Sequence, residues 1–183
     1  MNHSDHVDLL RGGVSGPGGV WADFGAGSGA FTLALAELIG PAGEIFSIDR
    51  DSLTLRSQEA IFRAQPADKK PVIHFMLADF TERLPLPSLD GAVIANALHF
   101  HRRKDDVIRQ ISAYLKPGAP LILVEYNVEH GNFWVPYPIS YPNWEALVRS
   151  CGLVNTRLLV TKPSRFLQEI YSAVSLKPIV AGE

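Results

Sequence analysis

The stretch WADFGAGSGAF, Trp21 to Phe31, sets three glycines at alternate positions, Gly25, Gly27 and Gly29, directly after an apolar run. Alternating glycines between a strand and a helix let backbone N–H groups approach a ligand closely and expose the helix N-terminus. An acid closing the next strand then accepts hydrogen bonds from ribose hydroxyls, and Asp49 ends EIFSID about twenty residues after Gly29. The combination points to a nucleotide or nucleoside, and two ligands compete for it. A nicotinamide dinucleotide is tenable because GAGSGA also fits G-x-G-x-x-G/A. S-adenosylmethionine (SAM) instead brings an ammonium, and Asp23 supplies an acid where the strand meets the loop. A buried carboxylate is costly unless paired, so Asp23 favours a ligand with a cationic end. A dinucleotide site would favour apolar residues there, and no Tyr-x-x-x-Lys occurs to serve a short-chain reductase.

The elements around this loop read as alternating strands and helices, which predicts an α/β class with a mainly parallel sheet. VWADF is the first strand and a helix runs from about Gly29 to Ile39, stopped by Gly40-Pro41. EIFSID is the second strand, and a helix from Ser52 to about Ala64 starts at a cap on Asp51 or Ser52. VIHFML and LDGAVIA follow as strands, then a helix carrying Val107, Ile108, Ile111 and Leu115 at helical spacing. LILVEY is apolar enough to be buried on both faces. A short helix capped by Asn143 carries Trp144, Leu147, Val148 and Cys151, and TRLLVT and FLQEIYSAVSL close the chain like a hairpin.

At 183 residues the chain is read as one domain over 1–183, with a flexible lead over 1–19 and an aromatic, Pro-rich insert over 127–143 on the acceptor side. The N-terminus MNHSDHVDLLRGG has no apolar h-region, and no apolar run approaches the ~18 residues of a membrane helix. One cysteine, Cys151, excludes an internal disulfide and a multi-cysteine metal site. These features lead us to expect a cytoplasmic protein with no membrane partner. The net charge of -2 and the balanced HRRKDD patch disfavour broad nucleic-acid binding.

Taken in order, the motifs resemble those of the class I SAM-dependent methyltransferases from Val20 to about Lys177. DFGAGSG is similar to that family's first motif, implying Asp23, Gly25, Ala26, Gly27 and Gly29 around the methionine end of SAM. SIDRD is similar to the second-strand acid motif, implying Asp49 on the ribose hydroxyls and Arg50 beside the adenine. LADF implies Asp79 on the adenine amino group and Phe80 flanking the ring, and LDGAVIANALHF implies Asn96 near the methionine portion. LKPGAPLILVEY resembles the entry to the fifth strand. The five ordered matches favour SAM over NAD. The resemblance implies a doubly wound, mostly parallel seven-stranded sheet of order 3-2-1-4-5-7-6, last strand antiparallel, in three α/β/α layers. It also implies an enzyme that moves a methyl group by in-line displacement and releases S-adenosylhomocysteine.

Methyl transfer needs the nucleophile held in line with the methyl carbon, and a base only where the acceptor must lose a proton. His99, three residues past Asn96, is the expected catalytic base, since imidazole titrates near neutral pH. No metal site is expected, because His99, His101, Glu125, Glu129 and His130 lack a recognisable ligand spacing. Phe133, Trp134, Tyr137, Tyr141 and Trp144, interleaved with three prolines, suit a planar or cationic small-molecule acceptor. NALH stands where a nucleobase amino-methyltransferase would carry Asn-Pro-Pro-Tyr, and NALHF looks most like the group acting on small, quinone-type metabolites. A protein or RNA acceptor, a nucleotide-dependent reductase and a non-catalytic SAM-binding protein remain alternatives. A short N-terminal lead also leaves room for a homodimer in which a partner chain completes the pocket.

Overall fold

The computed structural model describes residues 1–179. Seven strands form a single sheet: β1 (Gly19–Phe24), β2 (Gly43–Asp49), β3 (Val72–Leu77), β4 (Gly91–Ala95), β5 (Pro120–Tyr126), β6 (Val154–Pro163) and β7 (Glu169–Leu176). Their order is β3-β2-β1-β4-β5-β7-β6. β1 to β5 pair in parallel, whereas β7 runs antiparallel to both β5 and β6. The chain therefore winds outward from β1 in one direction and from β4 in the other, and the crevice between their carboxyl ends is a topological switch point.

Among the described residues, five α-helices cover the sheet: α1 (His3–Arg11), α2 (Ala30–Ile39), α3 (Ser52–Arg63), α4 (Lys104–Tyr114) and α5 (Tyr141–Ser150). Side chains alternate across the pleat, so each central strand feeds two cores. Ala22, Phe24, Leu121 and Leu123 meet Val107, Ile108 and Ile111 of α4 and Trp144 and Val148 of α5. Trp21, Val93, Ile122 and Val124 meet Leu9 and Leu10 of α1, Leu35 and Ile39 of α2 and Phe62 of α3. β4 is buried along its whole length and β5 up to Tyr126, as a strand covered on both faces requires.

Two local expectations need correction. The predicted flexible lead over 1–19 contains α1, whose Asn2 side chain accepts from the Asp5 N–H while Asp5 accepts from the Asn2 N–H. This capping box starts the helix, and Val7, Leu9 and Leu10 bury its apolar side. Lys162 on β6 then ties it down through Asp5 at 2.7 Å and Asp8 at 2.9 Å. The second correction concerns α5, which begins two residues before Asn143. Ser140 is its N-cap residue, and Pro142 sits in the first turn, where its missing N–H leaves no helical bond unmade.

Candidate active site

The loop after β1 folds over the carboxyl end of β2. Gly25, Gly27 and Gly29 all have positive φ, at +75°, +53° and +81°. Glycine is required at two of them for steric reasons as well. A Cβ on Gly25 would meet the Ala97 side chain at 2.4 Å, and one on Gly29 would meet Gln58 at 2.7 Å. The Gly25 and Ala26 N–H groups donate to the Ile48 carbonyl, and the Gly27 N–H donates to Asp49 Oδ2 at 2.7 Å. Asp49 Oδ1 accepts from the Asp51 N–H. Each Asp49 oxygen thus keeps a further lone pair for a ligand while its orientation is set by backbone.

A cleft of about 200 Å³ opens beside this loop. It brings together Gly25, Gly27, Asp49, Arg50, Asp79, Phe80 and Asn96 of the expected residues, and adds Ala78, Ala97, Phe100 and His101. Asp79 Oδ1 accepts from both the N–H and the hydroxyl of Thr81, which holds its carboxyl below the usual carboxylate range. Phe80 stands edge-on to His101 at 5.0 Å. Burial pushes the His101 imidazole below its ordinary value, against the pull of Asp79. Asn96 holds φ +51°, unusual for a non-glycine residue, and its Oδ1 is buried without a partner.

Ala26, Gly29, Asp23 and His99 do not line this cleft. Asp23 shares the α2 face of β1 with Trp21, and only 1% of it is exposed. Its Oδ2 accepts from the Thr32 hydroxyl at 2.7 Å, whereas Oδ1 is buried with no partner. Burial raises this carboxyl to about 7, with the Asp49 charge adding to the effect and the Thr32 bond opposing it. The same polar chain continues through Thr32 and Ser47 to Gln58, whose amide donates to the Gly27 carbonyl at 2.5 Å. A buried glutamine therefore links the acid beneath the loop to the loop itself. Its sequence signal was a polar residue on the apolar stripe Leu55, Gln58, Phe62 of α3.

His99 lies in a 3₁₀ turn, Leu98–Phe100, beyond β4. Its Nδ1 meets both oxygens of Glu125, at 2.9 and 3.0 Å, and its backbone N–H donates to Oε1 at 3.1 Å. Both side chains are buried. The insert after β5 docks on this turn through the Tyr137 N–H, which donates to the His99 carbonyl. Val135 and Ile139 are buried, while Phe133 and Trp134 stand 87% and 68% exposed, edge to face with each other. Trp144, read as part of the aromatic wall, is instead a fully buried core residue of α5.

A sheet of this order with a glycine loop and a second-strand acid at its switch point defines a nucleoside-binding α/β fold. Residues 22–121 match the family described as "Methyltransferase domain". The chain belongs to this family, within the class I SAM-dependent methyltransferases, whose cofactor is SAM. It is similar to the ubiquinone/menaquinone biosynthesis C-methyltransferase UbiE of Burkholderia mallei, 31% identical over 127 residues, covering 68% of this chain and 49% of the relative. The chain thus spans about half the length of the curated relatives it matches. Among solved structures it resembles a SAM-dependent methyltransferase of Methanosarcina mazei, with TM-score 0.73, 18% identity and coverage of 93% of this chain and 98% of that one. The [4+2]-cyclase SpnF is a further neighbour, with TM-score 0.77, 16% identity and coverage of 97% and 82%. The fold is shared across differently named activities, so the site must carry the functional reading.

The residues present fit SAM. Gly25 leaves no room for a Cβ at the loop, Asp49 and Asp79 are pre-oriented carboxylates, and Asn96 offers an unpaired buried acceptor beside the cleft.

Proposed function

We propose that this chain methylates a small molecule at the carboxyl edge of the sheet. When bound, SAM supplies an electrophilic methyl carbon on a sulfonium. Asp49 would receive the ribose hydroxyls, Asp79 and Phe80 the adenine, and Asn96 the methionine portion, with Arg50 at the adenine edge. Asp23, beneath the loop, would complement the ammonium end through its charge. His99 would take the proton of an acceptor that must lose one. The observation that carries this reading is the cleft itself, where Asp49, Asp79 and Asn96, at the carboxyl ends of β2, β3 and β4, converge around a loop that admits no side chain at Gly25. The quinone-directed name of the UbiE relative supports a small, planar acceptor, as do the aromatic side chains exposed on the insert. Among the described residues no helix is long and apolar enough to cross a membrane.

Thermal unfolding with and without nucleosides tests the reading. S-adenosylhomocysteine at a hundredfold excess over Kd should stabilise the fold by about 2.7 kcal/mol. That raises Tm by roughly 5–11 °C at this chain length. NADH and NADPH should leave it unchanged. Stabilisation by NADH or NADPH in place of the SAM product would overturn the assignment.

A further inference from the structure

His99 stands between two clefts at the same edge of the sheet. Its ring lies 4.3 Å from that of Phe100, which lines the cofactor cleft, and 6.3 Å from that of Tyr126. Tyr126 lines a second cleft with Phe166 and Arg165 of the β6–β7 turn. Nδ1 is occupied by Glu125, whereas Nε2 has no protein partner among the described residues and is not one of the fully buried unpaired atoms. An imidazole whose Nδ1–H donates to a carboxylate presents Nε2 as its free lone pair.

We infer that Glu125 is a positioning residue that locks His99 in the Nδ1–H tautomer, so that Nε2 receives the proton of an acidic methyl acceptor, an enol- or phenol-type hydroxyl or the ring carbon such a hydroxyl activates. The inference rests on the methyltransferase reading above and narrows its substrate class. The acceptor's O–H proton passes to Nε2, and the freed electron pair, on oxygen or conjugated through to the ring carbon, forms the new bond to the methyl carbon. The carbon–sulfur bond breaks as that bond forms, leaving a neutral thioether. At a ring carbon, tautomerisation then moves the C–H proton to the oxygen. The resulting imidazolium is held against the Glu125 carboxylate, the third-group orientation that activates a base elsewhere. An amine attacking through its own lone pair would have no need of this arrangement.

The surroundings bear on the charge of the pair. Glu125 faces the Tyr126 and Tyr171 phenols, both raised by burial and by its charge, and Lys104, which burial lowers and Glu125 raises. His101 and the Tyr137 backbone approach from the turn and the insert. Lys104 Nζ is engaged by the His101 carbonyl at 2.8 Å, which leaves, among the described residues, the Tyr126 N–H at 3.3 Å and His99 as the direct partners of the carboxylate, His99 alone through its side chain.

Imidazole ¹⁵N NMR on the full chain tests the tautomer without any acceptor. Neutral His99 should carry its proton on Nδ1. With methyl-labelled SAM and 1,4-dihydroxynaphthalene as probe acceptor, His99→Gln and Glu125→Gln should each lower turnover by roughly 10²-fold, the scale of general base catalysis. Glu125→Asp should restore part of it, and S-adenosylhomocysteine affinity should stay within about twofold throughout, since neither residue lines the cofactor cleft. An Nε2–H tautomer in the wild type overturns the inference. So does wild-type turnover in Glu125→Gln beside a dead His99→Gln, which would keep the base and discard its orienting group. If Glu125→Gln does not fold, the wild-type tautomer and Glu125→Asp decide. Absence of any stabilisation by S-adenosylhomocysteine would instead sink the methyltransferase reading.

Discussion

Asp23 makes the stability of the ligand-free protein depend on pH in a direction opposite to most carboxylates. Its folded-state value lies at about 7 against 3.8 in the unfolded chain, so the folded state binds the proton more tightly. Stability from this group is complete below 3.8, declines as pH rises toward 7, and is flat above. One pKa unit corresponds to about 1.4 kcal/mol. The penalty therefore reaches about 2 kcal/mol at pH 5 and about 4 kcal/mol at pH 8, a difference of roughly 2–3 kcal/mol. Asp23→Asn keeps the shape and the Thr32 bond but does not titrate. Urea unfolding of both proteins at pH 5 and pH 8 should show the wild type losing roughly 2–3 kcal/mol relative to the variant over that interval. The same loss appears as roughly 4–12 °C in Tm. Burial depresses His6 and His101, so both proteins gain stability from them as pH rises, and only the difference between the proteins reports Asp23. Parallel pH dependences would refute the reasoning. They would mean that water or a rearranged partner reaches the orphaned Oδ1.

Gln58→Ala removes the clamp on the Gly27 carbonyl without touching the cleft, and should weaken S-adenosylhomocysteine binding by about 1–2 kcal/mol in calorimetry, the scale of a buried amide hydrogen bond. Unchanged affinity would make the Asp23–Gln58 chain a packing feature only. Trp134→Ala should impair methylation of an aromatic acceptor selectively, because its side chain is exposed and buries little of the core; an equal loss of Tm and cofactor affinity would assign it to packing. Asn2→Ala breaks the capping box of α1 and should lower stability by about 1 kcal/mol. Chemical denaturation that shows no change would indicate that Lys162 holds the helix by itself.

Much of the fold was legible because apolar periodicity and turn chemistry are local. VIHFML became β3 residue for residue, and Asp51 capped α3 as its type and place required. The glycine loop and Asp49 were equally legible, since a strand, a positive-φ turn and a second-strand acid lie within about thirty residues of one another. The hairpin spacing of the tail pointed to an antiparallel close, but its insertion beside β5 as β7-β6 came from the family resemblance. α1 was missed although Asn2 and Asp5 spell its capping box, because few apolar residues follow them in a chain start of nine helical residues.

The partners of the polar residues were decided by tertiary structure. Asp23 is paired in register with Ser47 on β2, and Asp23 meets Thr32 of α2 while Ser47 meets Thr32 and Gln58 of α3 only once the sheet is covered. Nothing local reveals that Asp23 lies beneath the loop rather than in the cleft, because the pleat alternates while the loop folds over it. His99 and Glu125 are 26 residues apart and come together because Ala95 registers with Val124. That register leaves Glu125 just past the pairing, where the 3₁₀ turn after β4 folds back. Burial then makes each group's chemistry depend on its neighbour, since a lone carboxylate or imidazole there would lose its hydration without compensation. Residue type and spacing therefore determined which groups could act. The packed sheet decided which atom of each is left free to do so.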